Sequence, residues 1–167
     1  FVLSLTIPVY AEGTYNIDTK QICNGVFSVD YSISKDDKVK LMVQKDGTTL
    51  YYNLTGQEAT EVFPLQMGEG NYTIAVLENI SENRYKQVIR ETVEVVNISS
   101  LDVYLQSIQM INWNDENHAV KKADELTKNI KSDEEKVKVI YDYIITNYSY
   151  DFEKTELPYD YLPDIDR

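Results

Sequence analysis

The chain has 167 residues, 43% hydrophobic and 26% charged, a composition for one or two small folded domains rather than a disordered tail or a membrane bundle. With 28 Asp and Glu against 16 Lys and Arg, the formal net charge is -12; such a surface repels phosphate backbones, and without a basic patch nucleic acid is excluded as a partner. The single cysteine, Cys23, cannot form an internal disulfide, and the single histidine, His118, cannot build a two-histidine metal site.

Residues 1–11 read as a remnant of a secretory signal peptide. A short apolar run (Phe1-Val-Leu-Ser-Leu-Thr-Ile7) meets a helix breaker at Pro8, and Val9-Tyr10-Ala11 offers small residues at the positions signal peptidase requires. Leu3, Leu5 and Ile7 also alternate with Ser4 and Thr6, as a first strand would. The run is too short to span a bilayer and no longer one follows, so an exported protein without a transmembrane helix is expected, secreted or held at the cell surface.

Residues 12–97 carry the period-two patterns of strands. Phe27, Val29 and Tyr31 alternate with polar neighbours, as do Val39, Leu41 and Val43, then Thr48, Leu50, Tyr52 and Leu54. Between the last two runs lies Asp46-Gly47, a pair suited to a type I′ turn, which predicts a hairpin over Val39–Leu54. Tyr72, Ile74 and Val76 form another strand, and Tyr85 to Val96 a further one. Short strands separated by turns predict an immunoglobulin- or fibronectin-like antiparallel β-sandwich. The segment Leu65-Gln-Met-Gly-Glu-Gly-Asn-Tyr72 suits a sandwich corner, where a tyrosine hydroxyl bonds back to upstream backbone.

Residues 98–114 read as a linker, and from Asp115 the period becomes helical. Ala119, Ala123, Leu126 and Ile130 make one apolar stripe, with Asp124 and Lys128 four apart on the polar face. Ser132-Asp-Glu-Glu135 is a capping box at the positive end of a second helix, whose stripe is Val137, Ile140, Tyr141, Ile144, Ile145 and Tyr148. The expectation is a helical hairpin over Asp115–Tyr148. Each stripe is too broad for the other helix alone to cover, so both should pack on polypeptide further along. The polar, Pro-containing stretch from Leu157 to Arg167 ends in no regular element, and the sequence reads as part of a longer protein.

Candidate chemistry is sparse. Cys23 reads as a half-buried strand cysteine, not a nucleophile, and His118 as a surface histidine beside Asp115 and Glu116. Asp160, Asp164 and Asp166 could offer oxygen ligands to Ca²⁺, but no EF-hand loop accompanies them, and short acidic loops are usually solvated. Tyr51, Tyr52, Tyr72 and Trp113 could stack on sugar rings, although half-buried strand positions favour tyrosine anyway. Asn53, Asn71, Asn79, Asn97 and Asn147 each begin an N-glycosylation acceptor pattern, relevant only in a eukaryotic secretory route. No residue is assigned a catalytic, cofactor-binding or metal-binding role.

Leu126-Thr127, Ser132-Asp-Glu-Glu-Lys136, Ile140-Tyr-Asp-Tyr-Ile144 and above all Asn147-Tyr-Ser-Tyr-Asp151 resemble the opening of the transglutaminase-like domain. Tyr159-Asp-Tyr-Leu-Pro-Asp164 is similar to the loop before the catalytic segment in secreted bacterial members. The resemblance covers 115–167, and the preceding sandwich is similar to amino-terminal modules of such proteins. It implies a papain-like Cys-His-Asp enzyme in which a thiolate at a helix N-terminus attacks a carboxamide or peptide carbonyl, forming a thioester that an amine or water resolves. None of the three catalytic residues lies in this chain; the cysteine is expected after Arg167, and the fragment itself should be inactive. Cell-wall or matrix proteins are the expected partners, reached through the missing part. The alternative is a non-catalytic cell-surface adhesion module binding protein or carbohydrate through its sandwich.

Overall fold

A computed structural model describes residues 13–96, 102–157 and 161–166. The stretch 1–11, Asn97, Tyr159, Asp160 and Arg167 lie outside the described residues. The chain divides between Gln106 and Ser107 into two compact units, a point inside the stretch 98–114 that the sequence reads as a linker.

The first unit is antiparallel β. Its strands, among the described residues, are β1 (Thr14–Asp18), β2 (Val26–Ser32), β3 (Val39–Lys45), β4 (Thr48–Leu54), β5 (Glu58–Pro64), β6 (Gly70–Ser81) and β7 (Arg84–Val95). They form a three-stranded sheet in the order β1-β2-β5 and a four-stranded sheet in the order β4-β3-β6-β7. The hairpin over Val39–Leu54 is present in the expected register, with Lys45 opposite Thr48 and Val39 opposite Leu54. Asp46 and Gly47 take φ values of 48° and 83°, the left-handed pair that matches the strand twist.

Alternation decides what is buried. Phe27, Val29 and Tyr31 of β2 and Phe63 of β5 enter one core with Leu41 and Val43 of β3 and Ile74 and Val76 of β6, so the inner faces of both sheets share it. Phe63 lies 5.7 Å from Phe27 of its own sheet and reaches across to Tyr52 of the other, ring centroids 5.1 Å apart. Tyr72 is wholly buried, and its hydroxyl proton is shared between the carbonyls of Gly68 at 2.7 Å and Leu65 at 3.1 Å. This is the upstream backbone bond anticipated for the corner. A second clasp joins the sheets where the Tyr15 hydroxyl of β1 donates to Glu78 of β6 at 2.8 Å, with Lys86 at 2.9 Å from the same carboxylate. Burial alone would raise the Glu78 carboxyl, but the bonds from Lys86 and Tyr15 outweigh it and hold the group below the ordinary range.

Cys23 corrects the sequence reading. It is exposed and lies in a 3₁₀ turn, Ile22–Asn24, not in a strand. The cause is Gly25, whose φ of 76° reverses the chain just before β2 and lets its N–H bond to the Ile22 carbonyl at 2.9 Å. Gly25 is also crowded: a Cβ there would sit 2.2 Å from Cγ2 of the buried Val103, in the short 3₁₀ turn Asp102–Leu105.

The second unit contains α1 (His118–Thr127) and α2 (Asp133–Asn147). Among the described residues no helix is long and apolar enough to cross a membrane.

Tyr72→Phe strips two carbonyls of a buried partner and is expected to lower stability by about 1–3 kcal/mol, measured by urea unfolding. Burial also raises the phenols of Tyr15, Tyr31, Tyr52 and Tyr72, that of Tyr31 from 10.0 to about 12. Because the folded phenols keep protons that the unfolded chain has lost, their contribution to stability is complete below pH 10.0 and disappears as pH rises towards about 12. A pH titration of phenolate absorbance should therefore show these four tyrosines ionising late, together with unfolding.

Candidate functional site

A concavity lies between the two helices, lined by small and large side chains. Ala119, Ala123 and Leu126 of α1 face Ile140, Ile144 and Tyr148 of α2 across a groove of about 750 Å³. These are residues of the two stripes read from helical spacing. Alanine at 119 and 123 lets the backbones approach yet fills little volume, which leaves the groove open. Tyr143 and Ile165 also line it, and neither belongs to the predicted stripes. Lys122 sits 5.7 Å over the Tyr143 ring and binds Glu125 at 2.6 Å, so a cation bridges the helices at the groove wall.

The helices bury nothing completely: neither α1 nor α2 has a buried residue. On α2, Val137 is 67% exposed, Tyr141 60%, Ile144 50% and Ile145 58%. Beyond α2, Tyr150 and Phe152 pack edge to face at 4.8 Å and stay exposed. A helix draws most of its stability from burying one face, so this uncovered stripe is the chemical peculiarity of the second unit.

The two helix starts are stabilised in different ways. At α2 the Ser132 hydroxyl accepts from the Glu135 N–H at 3.4 Å, the forward half of the capping box, and Asp133, Glu134 and Glu135 occupy the positive end. α1 begins at His118, three residues later than expected, and Asn117 at its cap position makes no side-chain cap bond. Its cap comes from Asp166: the carboxylate accepts from the Ala119 N–H at 3.0 Å, the His118 N–H at 3.1 Å and the Asn117 side-chain amide at 3.0 Å. The Ala119 bond first, then the Asn117 bond, hold this carboxyl below the ordinary range.

The sequence-derived candidates scatter. Asp166 is used as a cap and Asp164 accepts from the Asp166 N–H at 3.0 Å; among the described residues no three His, Cys, Asp or Glu gather as metal ligands. Tyr51 is exposed while the adjacent Tyr52 turns inward onto Phe63 and Tyr72 is buried, so β4 and β6 offer no tyrosine platform. Trp113 is half-buried in the second unit, its backbone N–H donating to the Ser107 hydroxyl at 2.9 Å. The Asn79 amide is spent on the Glu82 and Arg84 carbonyls, and the Asn147 amide on Tyr143. His118 is exposed at the first position of α1. Asp124 and Lys128 are not the ion pair that forms; Lys121 pairs with Glu116 at 2.7 Å and Lys138 with Asp142 at 2.7 Å.

No protein-family model, curated protein or solved structure matches the chain.

Because the α2 stripe is uncovered, Val137→Lys and Ile145→Lys should each change stability by less than about 0.5 kcal/mol, whereas Leu41→Ala in the β core should cost about 2–5 kcal/mol. Denaturant titration of the three variants measures the contrast.

Proposed function

We propose that residues 115–167 open a transglutaminase-like domain of an exported protein, and that an immunoglobulin- or fibronectin-like sandwich precedes it. In this reading the Cys-His-Asp machinery lies in polypeptide after Arg167. Residues 1–167 then supply a carrier module and two supporting helices, and the nucleophile comes later. The observation that carries the proposal is the apolar stripe of α2, with Val137 67% and Ile145 58% exposed, on the helix whose residues resemble that family. A stripe of this breadth is retained when further structure lies on it.

The exposed Cys23 does not fill the catalytic gap. Its 3₁₀ turn spans only Ile22–Asn24, too short to act as a helix N-terminus, and its sulfur lies 3.7 Å from the Asn24 side-chain oxygen. The partners of the whole protein would be wall or matrix proteins bearing glutamine side chains or accessible peptide bonds. A self-contained β core with a tyrosine-sealed corner favours a second reading, in which the first unit is an adhesion module and the helices are its stalk.

The test is the gene beyond the codon for Arg167, followed by expression of the lengthened chain. The expected result is a Gly-x-Cys motif, with His and Asp further on. The lengthened protein should incorporate amines or cleave peptides and lose that activity when the new cysteine is replaced, while residues 1–167 alone stay inactive. Further sandwich repeats, or a stop, would favour the adhesion reading; turnover by 1–167 that vanishes with Cys23→Ala would overturn both.

A further inference from the structure

A helix start is ordinarily satisfied by its own cap residue, because that oxygen is already within reach. Here Asn117 is engaged elsewhere: its side-chain oxygen accepts from the Asn114 N–H at 2.7 Å and its amide nitrogen donates to Asp166 at 3.0 Å. The first N–H groups of α1 are satisfied by a carboxylate 48 residues downstream of His118. The residue before that carboxylate, Ile165, lines the groove between α1 and α2. A carboxylate that caps α1 and an apolar side chain that lines the groove thus fall on adjacent residues of one short segment.

We propose that residues 161–166 form a latch. Asp166 completes the N-terminus of α1 and Ile165 occupies the adjoining part of the groove, so the start of α1 is ordered only while the segment is docked. The groove is correspondingly more open when the segment leaves. The two contacts are coupled: loss of the carboxylate frees Ile165, and loss of the isoleucine loosens the cap. Asp164, which accepts the Asp166 N–H at 3.0 Å, fixes the local turn that sets both side chains at the required angle. This inference is independent of the family resemblance, since it uses only contacts within residues 107–167.

The experiment is amide hydrogen exchange on the full 167-residue chain, comparing wild type with Asp166→Asn and Ile165→Ala. Asp166→Asn keeps the shape and one acceptor oxygen but removes the charge. In both variants, exchange at His118, Ala119 and Lys121 should accelerate about tenfold, while β3 and β6 keep wild-type rates and so report an intact fold. A second readout follows the groove itself: with Cys23→Ser as background, maleimide labelling of an Ala123→Cys thiol should quicken several-fold when Asp166→Asn is added. The latch is overturned if Asp166→Asn leaves the first turn of α1 within twofold of wild type. It is also overturned if Ile165→Ala leaves His118 and Ala119 as protected as before, or if labelling at position 123 is indifferent to residue 166.

Discussion

The meeting of Phe63 with Phe27 and Tyr52 is the interaction on which the first unit depends. Neither sheet could persist alone: three strands or four with one greasy face gain their stability from the face opposite. Phe63 stands on β5, Phe27 on β2 and Tyr52 on β4, so one aromatic cluster joins the smaller sheet to the larger. Around it the aliphatic side chains of both inner faces, Val29 of β2 and Leu41, Val43, Ile74 and Val76 of the larger sheet, complete the same core, and polar contacts lie at its margins. The Tyr15–Glu78–Lys86 clasp closes one margin, and Tyr72 ends its strand start by satisfying two carbonyls that burial would otherwise leave bare.

The second unit works under the opposite condition. Its helices are well formed by local means: a serine cap, acidic residues in the first turn of α2, and ion pairs such as Lys138–Asp142. Such exposed pairs contribute little each. What the helices lack is a buried face, and local devices alone hold short helices weakly. The contrast between the two units is a contrast in where free energy comes from, the hydrophobic core in one and hydrogen bonding at helix ends in the other.

What could be read in the sequence divides along the same line. Asp46-Gly47, the Tyr72 hydroxyl bond, Ser132 and the stripe residues within α1 and α2 are encoded within a few residues of where they act, and each is present, whereas Ile130 of the first stripe falls beyond the end of α1 at Thr127. Strands β1 and β5 are not legible individually, because Thr14–Asp18 is short and Glu58–Pro64 mixes Glu58, Thr60 and Glu61 with Phe63; both pair with β2. Cys23 departs from the strand that its neighbours suggest because Gly25 reads equally well as a strand flank and as a left-handed stop. The cap on α1 was invisible for a different reason: Asp166 looks like any acidic tail residue until the fold brings it to Ala119.

Gly25 and Val103 bear on any attempt to divide the protein. The methyl of Val103 occupies the space beside Gly25 that a side chain would need, and the Gly25 carbonyl accepts the Leu65 N–H at 2.8 Å. The valine therefore behaves as a cork in the base of the β unit, delivered by chain that follows the last strand. A dissection placed directly after β7 would pull the cork and wet the floor beneath β2 and β5, whereas a cut after Gln106 would keep the vessel sealed.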